Sequence, residues 1–273
     1  MNSTLCFIGG GNMARSLIGG LIARDFAAQR ITVADPVAAQ LQMLQEQFGV
    51  RVADSNAAAA QGADVVVLAV KPQEMRRVVT ELAPTFATPA PLIISVAAGI
   101  RSSDIQRWAR GVPVVRCMPN RPALQGCGMT GLFATVDVST AGRALAVELL
   151  SAVGATLWVD HEEQMDAVTA ISGSGPAYFF LLIEMLEQAG VALGLTPEVS
   201  HCLAVETAYG SALMAREASE SAATLRQQVT SKAGTTEAAL QLLEANNVRA
   251  IFAAAVTAAA RRSTELADEF GTD

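Results

Sequence analysis

The sequence predicts an α/β domain, a parallel sheet with helices on both faces, followed by an all-helical domain. Short apolar runs of strand length alternate with helix-period segments from residue 5 to residue 160, the pattern of a parallel sheet. A glycine cluster follows the first apolar run directly, in the spacing Gly9-x-Gly11-x-x-Ala14. Beyond Asp160 no β-rich run returns, and long Ala/Leu/Glu segments carry the helical period instead. The expected division is therefore 1–160 and 161–273.

The opening run, residues 5–8, reads as a buried strand entering a tight turn, with a helix over 14–23. Residues 30–36 read as a second strand ended by Asp35-Pro36, and 38–48 as a helix closed by Gly49. A short strand at 50–52 and a short helix at 56–61, stopped by Gly62, come next. The unbroken apolar run 64–70 has the length of a strand covered on both faces. Further pairs follow: helix 75–84 with strand 91–96, then helix 103–109 with strand 112–118. A last β-α-β segment spans 128–135, 139–153 and 156–159. Helices are expected at 164–171, 177–193, 197–218, 222–229, 235–244 and 248–270, with Pro197 at a helix start, where its missing N–H is harmless.

The 273 residues can bury a sizeable core. The net charge of −7 and the absence of a basic run argue against a nucleic-acid surface. Only Lys71 and Lys232 are lysines, so each merits attention. Cys6, Cys117, Cys127 and Cys202 are scattered without a C-x-x-C pair, and with His161 and His201 as the only histidines no metal site is expected. The first strand begins at once, leaving no room for a signal peptide. The most apolar helix carries Glu184, Glu187 and Gln188, too polar to span a bilayer. A cytoplasmic protein without a membrane partner is the expectation. The last helix is nearly apolar all round (Ile251 to Val256, Ala258 to Ala260). Such a helix is central to a large bundle or shared with another subunit; the segment after 160 makes only a small bundle, which favours an intertwined homodimer.

The glycine spacing is that of a Rossmann-type dinucleotide turn. Gly9 turns the chain, Gly11 has no Cβ to keep a pyrophosphate away, and Ala14 lets the helix lie close to the strand. Asp35, about twenty residues on, can hydrogen-bond the adenosine ribose and repel a 2′-phosphate, which favours NAD; it reads equally as a turn starter. Lys71 ends the most buried strand at the mouth of the crevice. Ser95-Val96-Ala97-Ala98-Gly99 ends the next with small residues, suited to a flat nicotinamide, and Asn120 supplies an amide after Arg116-Cys117-Met118-Pro119. Singly each is an ordinary strand-end loop; together they converge on one sheet edge. In the helical half, Ser172-Gly173-Ser174-Gly175-Pro176-Ala177-Tyr178 interrupts a helical region, which admits a close backbone or exposes N–H groups. Thr230-Ser231-Lys232-Ala233-Gly234-Thr235-Thr236 opens a helix whose free N–H groups can hold a carboxylate, or which Ser231 or Thr235 simply caps.

These residues resemble the pyrroline-5-carboxylate reductase family over essentially the whole chain. The resemblance lies in residues 8–14, Asn56, Ala69-Val70-Lys71-Pro72-Gln73, residues 95–100, 116–122, 169–178 and 229–236. It implies NAD(P)H-dependent reduction of 1-pyrroline-5-carboxylate to L-proline, the last step of proline biosynthesis, by dimers interlocked through the helical domain and sometimes assembled into decamers. It also implies that Ile8, Gly9, Gly11, Asn12, Met13, Asp35, Asn56, Ala69, Lys71, Pro72, Ala97 and Asn120 line the cofactor. Gly234, Thr235 and Thr236 would hold the substrate carboxylate, with Glu162, Gln228 and Ser231 nearby, and the loop would reach the cofactor of the other subunit in the dimer. Thr236 is the expected hydrogen-bond partner of the imine nitrogen.

Three departures from the family pattern bear on this. The usual Ser-Pro-Gly-Gly-Thr-Thr is Ser231-Lys232-Ala233-Gly234-Thr235-Thr236, which strains Ala233 if the position needs positive φ; Lys232 adds a cation there. Asn-Thr-Pro is Asn120-Arg121-Pro122. Asp35 stands where many members tolerate a 2′-phosphate, so the family leans to NADPH and the local residue to NADH. A β-hydroxyacid dehydrogenase would present a helical-domain lysine with asparagine a turn later, and Lys232 has no such asparagine. A non-catalytic dinucleotide sensor would bind cofactor without turnover.

Overall fold

The computed structural model describes residues 3–86 and 88–271. Its chain runs β1 (Leu5–Ile8), α1 (Asn12–Ile22), β2 (Ile31–Ala34), α2 (Ala38–Phe48), β3 (Arg51–Val52), α3 (Asn56–Ala60), β4 (Val65–Leu68), α4 (Pro72–Leu82), β5 (Leu92–Ser95), α5 (Ser102–Trp108), β6 (Val114–Met118), β7 (Gly128–Ala134), α6 (Thr140–Leu150) and β8 (Gly154–Trp158). The helical remainder is α7 (Gln164–Val168), a π-turn (Thr169–Gly173), α8 (Gly175–Ala192), α9 (Pro197–Glu217), α10 (Ala222–Gln228), α11 (Thr235–Ala245) and α12 (Val248–Gly271).

The strands form one eight-stranded sheet in the order β3-β2-β1-β4-β5-β6-β7-β8. Because β1 pairs in parallel with both β2 and β4, strand order reverses beside β1. That reversal opens a crevice at the strands' carboxyl ends. Alternate residues of each strand face opposite layers. Leu5, Phe7, Val65, Val67 and Ile94 join α1 and α6 in one core, while Cys6, Ile8, Val66, Leu68 and Ile93 join α4 and α5 in the other. Burial pushes the Cys6 thiol up to about 12, so it stays protonated and serves as a small apolar filler.

Several sequence expectations need adjustment. The sheet is parallel except for β6 and β7, which pair antiparallel. The link between them is a short turn over Arg121–Gln125, with no crossover helix to return the chain in parallel. The helices at 14–23 and 75–84 start earlier, at Asn12 and Pro72. Pro72 occupies the first helical position, where a missing N–H costs nothing. The glycine-rich run 172–178 does not break the helical path: α7 passes through a π-turn into α8, and the Ser174 N–H reaches the Thr169 carbonyl at 2.8 Å. The close neighbour of Gly173 is a side chain and not a second backbone: a Cβ there would lie 2.4 Å from Met118 Cε, the movable end of that side chain.

The chain divides into two compact units, Met1–Ser174 with Ala259–Asp273, and Gly175–Ala258. This division differs from the one expected at residue 160, and the hydrogen bonds give the reason. Glu162 bonds to α5 and β6, and Asp166 accepts from Ser263 (2.7 Å) and Thr264 (2.8 Å) of α12. The start of the helical region and the end of its last helix are thereby tied into the sheet unit. The second unit buries little of its apolar surface: Phe179 is 63% exposed, Phe180 61% and Leu193 85%. Contrary to the expectation from its glutamates, the helical stretch 164–192 is long and apolar enough to cross a membrane by length and composition alone.

Candidate active site

The site is built first from the end of β1. Gly9 adopts φ +99°, and a Cβ there would stand 2.6 Å from the Ala69 carbonyl oxygen at the end of β4. Only glycine allows that turn and that approach. The Gly9 N–H donates to the Ala34 carbonyl and the Ala69 N–H to the Ile8 carbonyl, both at 2.8 Å, so the three strand ends are held in register. Gly11 is the N-cap of α1, no side chain caps that helix, and a Cβ on Gly11 would meet nothing within 4 Å. The first turn of α1 thus has no side-chain cap, and Gly11 lines the cleft at its positive end, the arrangement that can receive a phosphate. Ala14, in the first turn of α1, is fully buried.

A cleft of about 700 Å³ opens at this point, lined by Gly9, Gly11, Asp35, Asn56, Ala69 and Lys71 among the expected residues. Asp35 is anchored: one oxygen accepts from the Gly10 N–H at 2.7 Å and the other from the Val37 N–H at 2.8 Å. It acts as a turn starter and also lines the cleft. Lys71 is the N-cap of α4, which also lacks a side-chain cap, and Pro72 follows it. Asn12 opens α1 at the surface and Met13 packs half-buried against the core. Ile8 lies fully buried and contributes through its backbone. Ala97 and Asn120 stand beyond the ends of β5 and β6, on the same carboxyl edge but outside the cleft lining. The Asn120 amide is engaged, accepting from the Met129 N–H at 2.9 Å and donating to Ser172 Oγ at 3.2 Å. The cleft also takes in Gln40, Asp54, Ser55, Glu74, Arg77 and Glu81. None of these was singled out from sequence. Their signal was faint: Ser55 caps α3, its hydroxyl accepting from the Ala58 N–H, and α4 repeats charged residues at helical spacing.

Glu162 has a definite setting. Its carboxylate accepts from the Ser102 N–H (2.5 Å), Ser102 Oγ (2.7 Å) and Arg116 Nη1 (3.0 Å), and the Arg116 side chain is only 5% exposed. A buried guanidinium requires such a partner.

Within the second unit, Gln228 ends α10, Ser231 and Gly234 lie on the short loop that follows, and Thr235 and Thr236 open α11. Gly234 is the N-cap and no side chain caps the helix, so capping by Ser231 or Thr235 does not occur. A Cβ on Gly234 would lie 2.4 Å from Ser231 Oγ, which explains the glycine. Ala233 takes φ +58°, the strained left-handed conformation, and its N–H donates to Glu237 at 2.5 Å. Thr236 is half-buried, whereas Gln228, Ser231, Lys232 and Thr235 are exposed.

A glycine turn, an uncapped helix end and a cleft at the point of strand reversal define a dinucleotide-binding oxidoreductase. Residues 4–99 accordingly match the family described as NADP oxidoreductase, coenzyme F420-dependent, and residues 162–266 match pyrroline-5-carboxylate reductase dimerisation. The chain is 50% identical to the pyrroline-5-carboxylate reductase of Pseudomonas aeruginosa over 98% of each. Among solved structures, that of a pyrroline-5-carboxylate reductase from Coxiella burnetii superposes with a TM-score of 0.93 at 43% identity, covering 97% of this chain and 99% of the other. The Plasmodium falciparum pyrroline carboxylate reductase, with NADP bound, gives 0.86 at 28% identity, covering 97% and 98%. The chain belongs to the pyrroline-5-carboxylate reductase family.

Proposed function

We infer that this chain reduces 1-pyrroline-5-carboxylate to L-proline with a reduced nicotinamide dinucleotide, the final step of proline biosynthesis. The observation that carries the reading is the pairing, in one chain, of an uncapped glycine turn opening a 700 Å³ cleft with a second uncapped helix start bearing Thr235 and Thr236. When bound, the nicotinamide supplies the hydride that converts the ring's C=N bond to C–N. Gly9, Gly11, Asn12 and Met13 would receive the pyrophosphate, Asp35 and Asn56 the adenosine ribose, and Ala69, Lys71, Pro72, Ala97 and Asn120 the remainder along the strand ends. The N–H groups at Gly234, Thr235 and Thr236 would hold the substrate carboxylate, as a helix N-terminus does, with Gln228 and Ser231 at its rim. Glu162 would act through Arg116 and Ser102, keeping the Asn120 strand end in place. The Thr236 hydroxyl donates a hydrogen bond to the imine nitrogen in this reading. Positioning dominates such a reaction, so a modest set of polar groups suffices.

The helical region is a dimerisation domain by its family match, and a homodimer, with a decamer as its higher form, is the assembly proposed. The acidic net charge supports a cytoplasmic protein without a nucleic-acid or membrane partner. NADPH is the donor the family resemblance favours and NADH the alternative; the choice turns on the charge around the ribose. The test is loss of nicotinamide absorbance with pyrroline-5-carboxylate present. Thr236→Ala should lower turnover by about tenfold or more, the scale of one positioned transition-state hydrogen bond. An unchanged rate removes Thr236 from the mechanism, and dinucleotide binding with no oxidation would leave a sensor.

A further inference from the structure

Resting on the reading that the cleft holds a nicotinamide dinucleotide, we infer that this chain selects the form without a 2′-phosphate, NADH over NADPH, with Asp35, Glu74 and Glu81 as the selecting charges. Asp35 cannot swing aside, because its two oxygens are each held by a backbone N–H, from Gly10 at 2.7 Å and Val37 at 2.8 Å. Its partners are amides and not a cation, so its full negative charge stays at the cleft wall. A carboxylate oxygen accepts more than one hydrogen bond, which leaves room for a ribose hydroxyl and none for another anion.

The rest of the lining reinforces this. Asp35, Asp54, Glu74 and Glu81 face the same cleft, against Lys71 and Arg77. The Arg77 guanidinium is already paired, at 2.7 Å with Glu74 and 3.4 Å with Glu81. A phosphate monoester carries a charge of about −1.5 to −2 at neutral pH and would enter a region where carboxylates prevail. Gln40, five residues beyond Asp35 and also in the lining, has a buried Oε1 with no hydrogen-bond partner among the described residues. An amide oxygen can accept from a hydroxyl but offers nothing to an ionised phosphate oxygen. The amide can turn over, but the carboxylates cannot change sign. NADP in the Plasmodium falciparum relative speaks for that protein, since a few side chains at the end of β2 and along α4 decide the matter.

The test is calorimetric titration with NAD⁺ and NADP⁺, which differ only in the 2′-phosphate, on the full-length wild type, on Asp35→Asn and on the double variant Glu74→Gln/Glu81→Gln. The wild type should bind NAD⁺ at least about tenfold more tightly, and Asp35→Asn should narrow that gap by about tenfold, as expected for one removed charge at short range. The double variant should narrow it in the same sense by a smaller factor, and it carries the test by itself if Asp35→Asn fails to fold. The ratio of kcat/KM for NADH and NADPH should follow the same order. Equal or tighter binding of NADP⁺ by the wild type overturns the inference while leaving the enzyme reading intact, as does a gap that persists in every neutralised variant. Failure of both dinucleotides to bind overturns the cleft reading as well.

Discussion

The sheet unit and the helical unit are both rich in aliphatic residues, yet they treat them differently. In the first, β4 is buried along its whole length and two side-chain layers close over the sheet. In the second, α8 buries only Gly175, and α9 only Ser200 and Ala204, while Phe179, Phe180, Leu181, Leu182, Met185 and Leu186 remain exposed. A soluble chain rarely leaves so large an apolar surface uncovered. The first unit is complete within one chain; the second, which falls within the match to a dimerisation family, lacks the polar face a lone bundle would show.

The most forceful way to break this comparison is to charge the exposed face. Phe179→Glu with Phe180→Glu should abolish self-association in sedimentation, since each buried aromatic anchor is worth about 2 kcal/mol or more. Val136→Glu, at a position 96% exposed in the sheet unit, should stay within about 0.5 kcal/mol of wild type. Retention of the oligomeric mass by the Phe variant would mean that the apolar surface has another use. Glu162→Ala comes next in size. Leaving the Arg116 guanidinium buried without its partner should cost about 3 kcal/mol in denaturant unfolding, whereas a cost under about 1 kcal/mol would show that residue 162 is not part of the sheet unit's structure.

Smaller still is Ala233→Gly. Relieving a left-handed alanine should stabilise the second unit by about 0.5–1 kcal/mol, and a lowered Tm would show that the strain is supported elsewhere. The smallest effect concerns pH. The Arg249 hydrogen bond holds the Glu244 carboxyl below its ordinary value of 4.5. The carboxylate's contribution is therefore present above pH 4.5 and fades as pH falls through the lowered value. Glu244→Gln should lower Tm slightly at pH 7, where that contribution is fully present, and by less and less as pH falls below 4.5; an effect of equal size at neutral and acid pH would rule out titration as the cause.

Much of this was legible beforehand. Helix 38–48 and its Gly49 stop, now at φ +68°, follow from local rules, and so does the glycine requirement at Gly9. The positive φ of Ala233 was readable from the glycine usual there. The antiparallel turn into β7 was not, because a strand's apolar pattern carries no direction. Nor were the roles of Gln40, Arg77 and Glu81, which depend on α4 and α2 facing one cleft across the sheet.

By itself the sequence determined the alternation of elements, the phosphate-binding turn and the excess of apolar residues in the helical half, because periodicity, glycine conformations and composition are local properties. Tertiary structure alone decided that Asp35 is pinned by backbone amides, that Glu162 neutralises a buried arginine, and that Asn120 spends its amide within the fold. Apart from the local Val37 and Met129 bonds, those contacts join residues distant in the chain, and a side chain's task is settled by the partner that burial forces upon it.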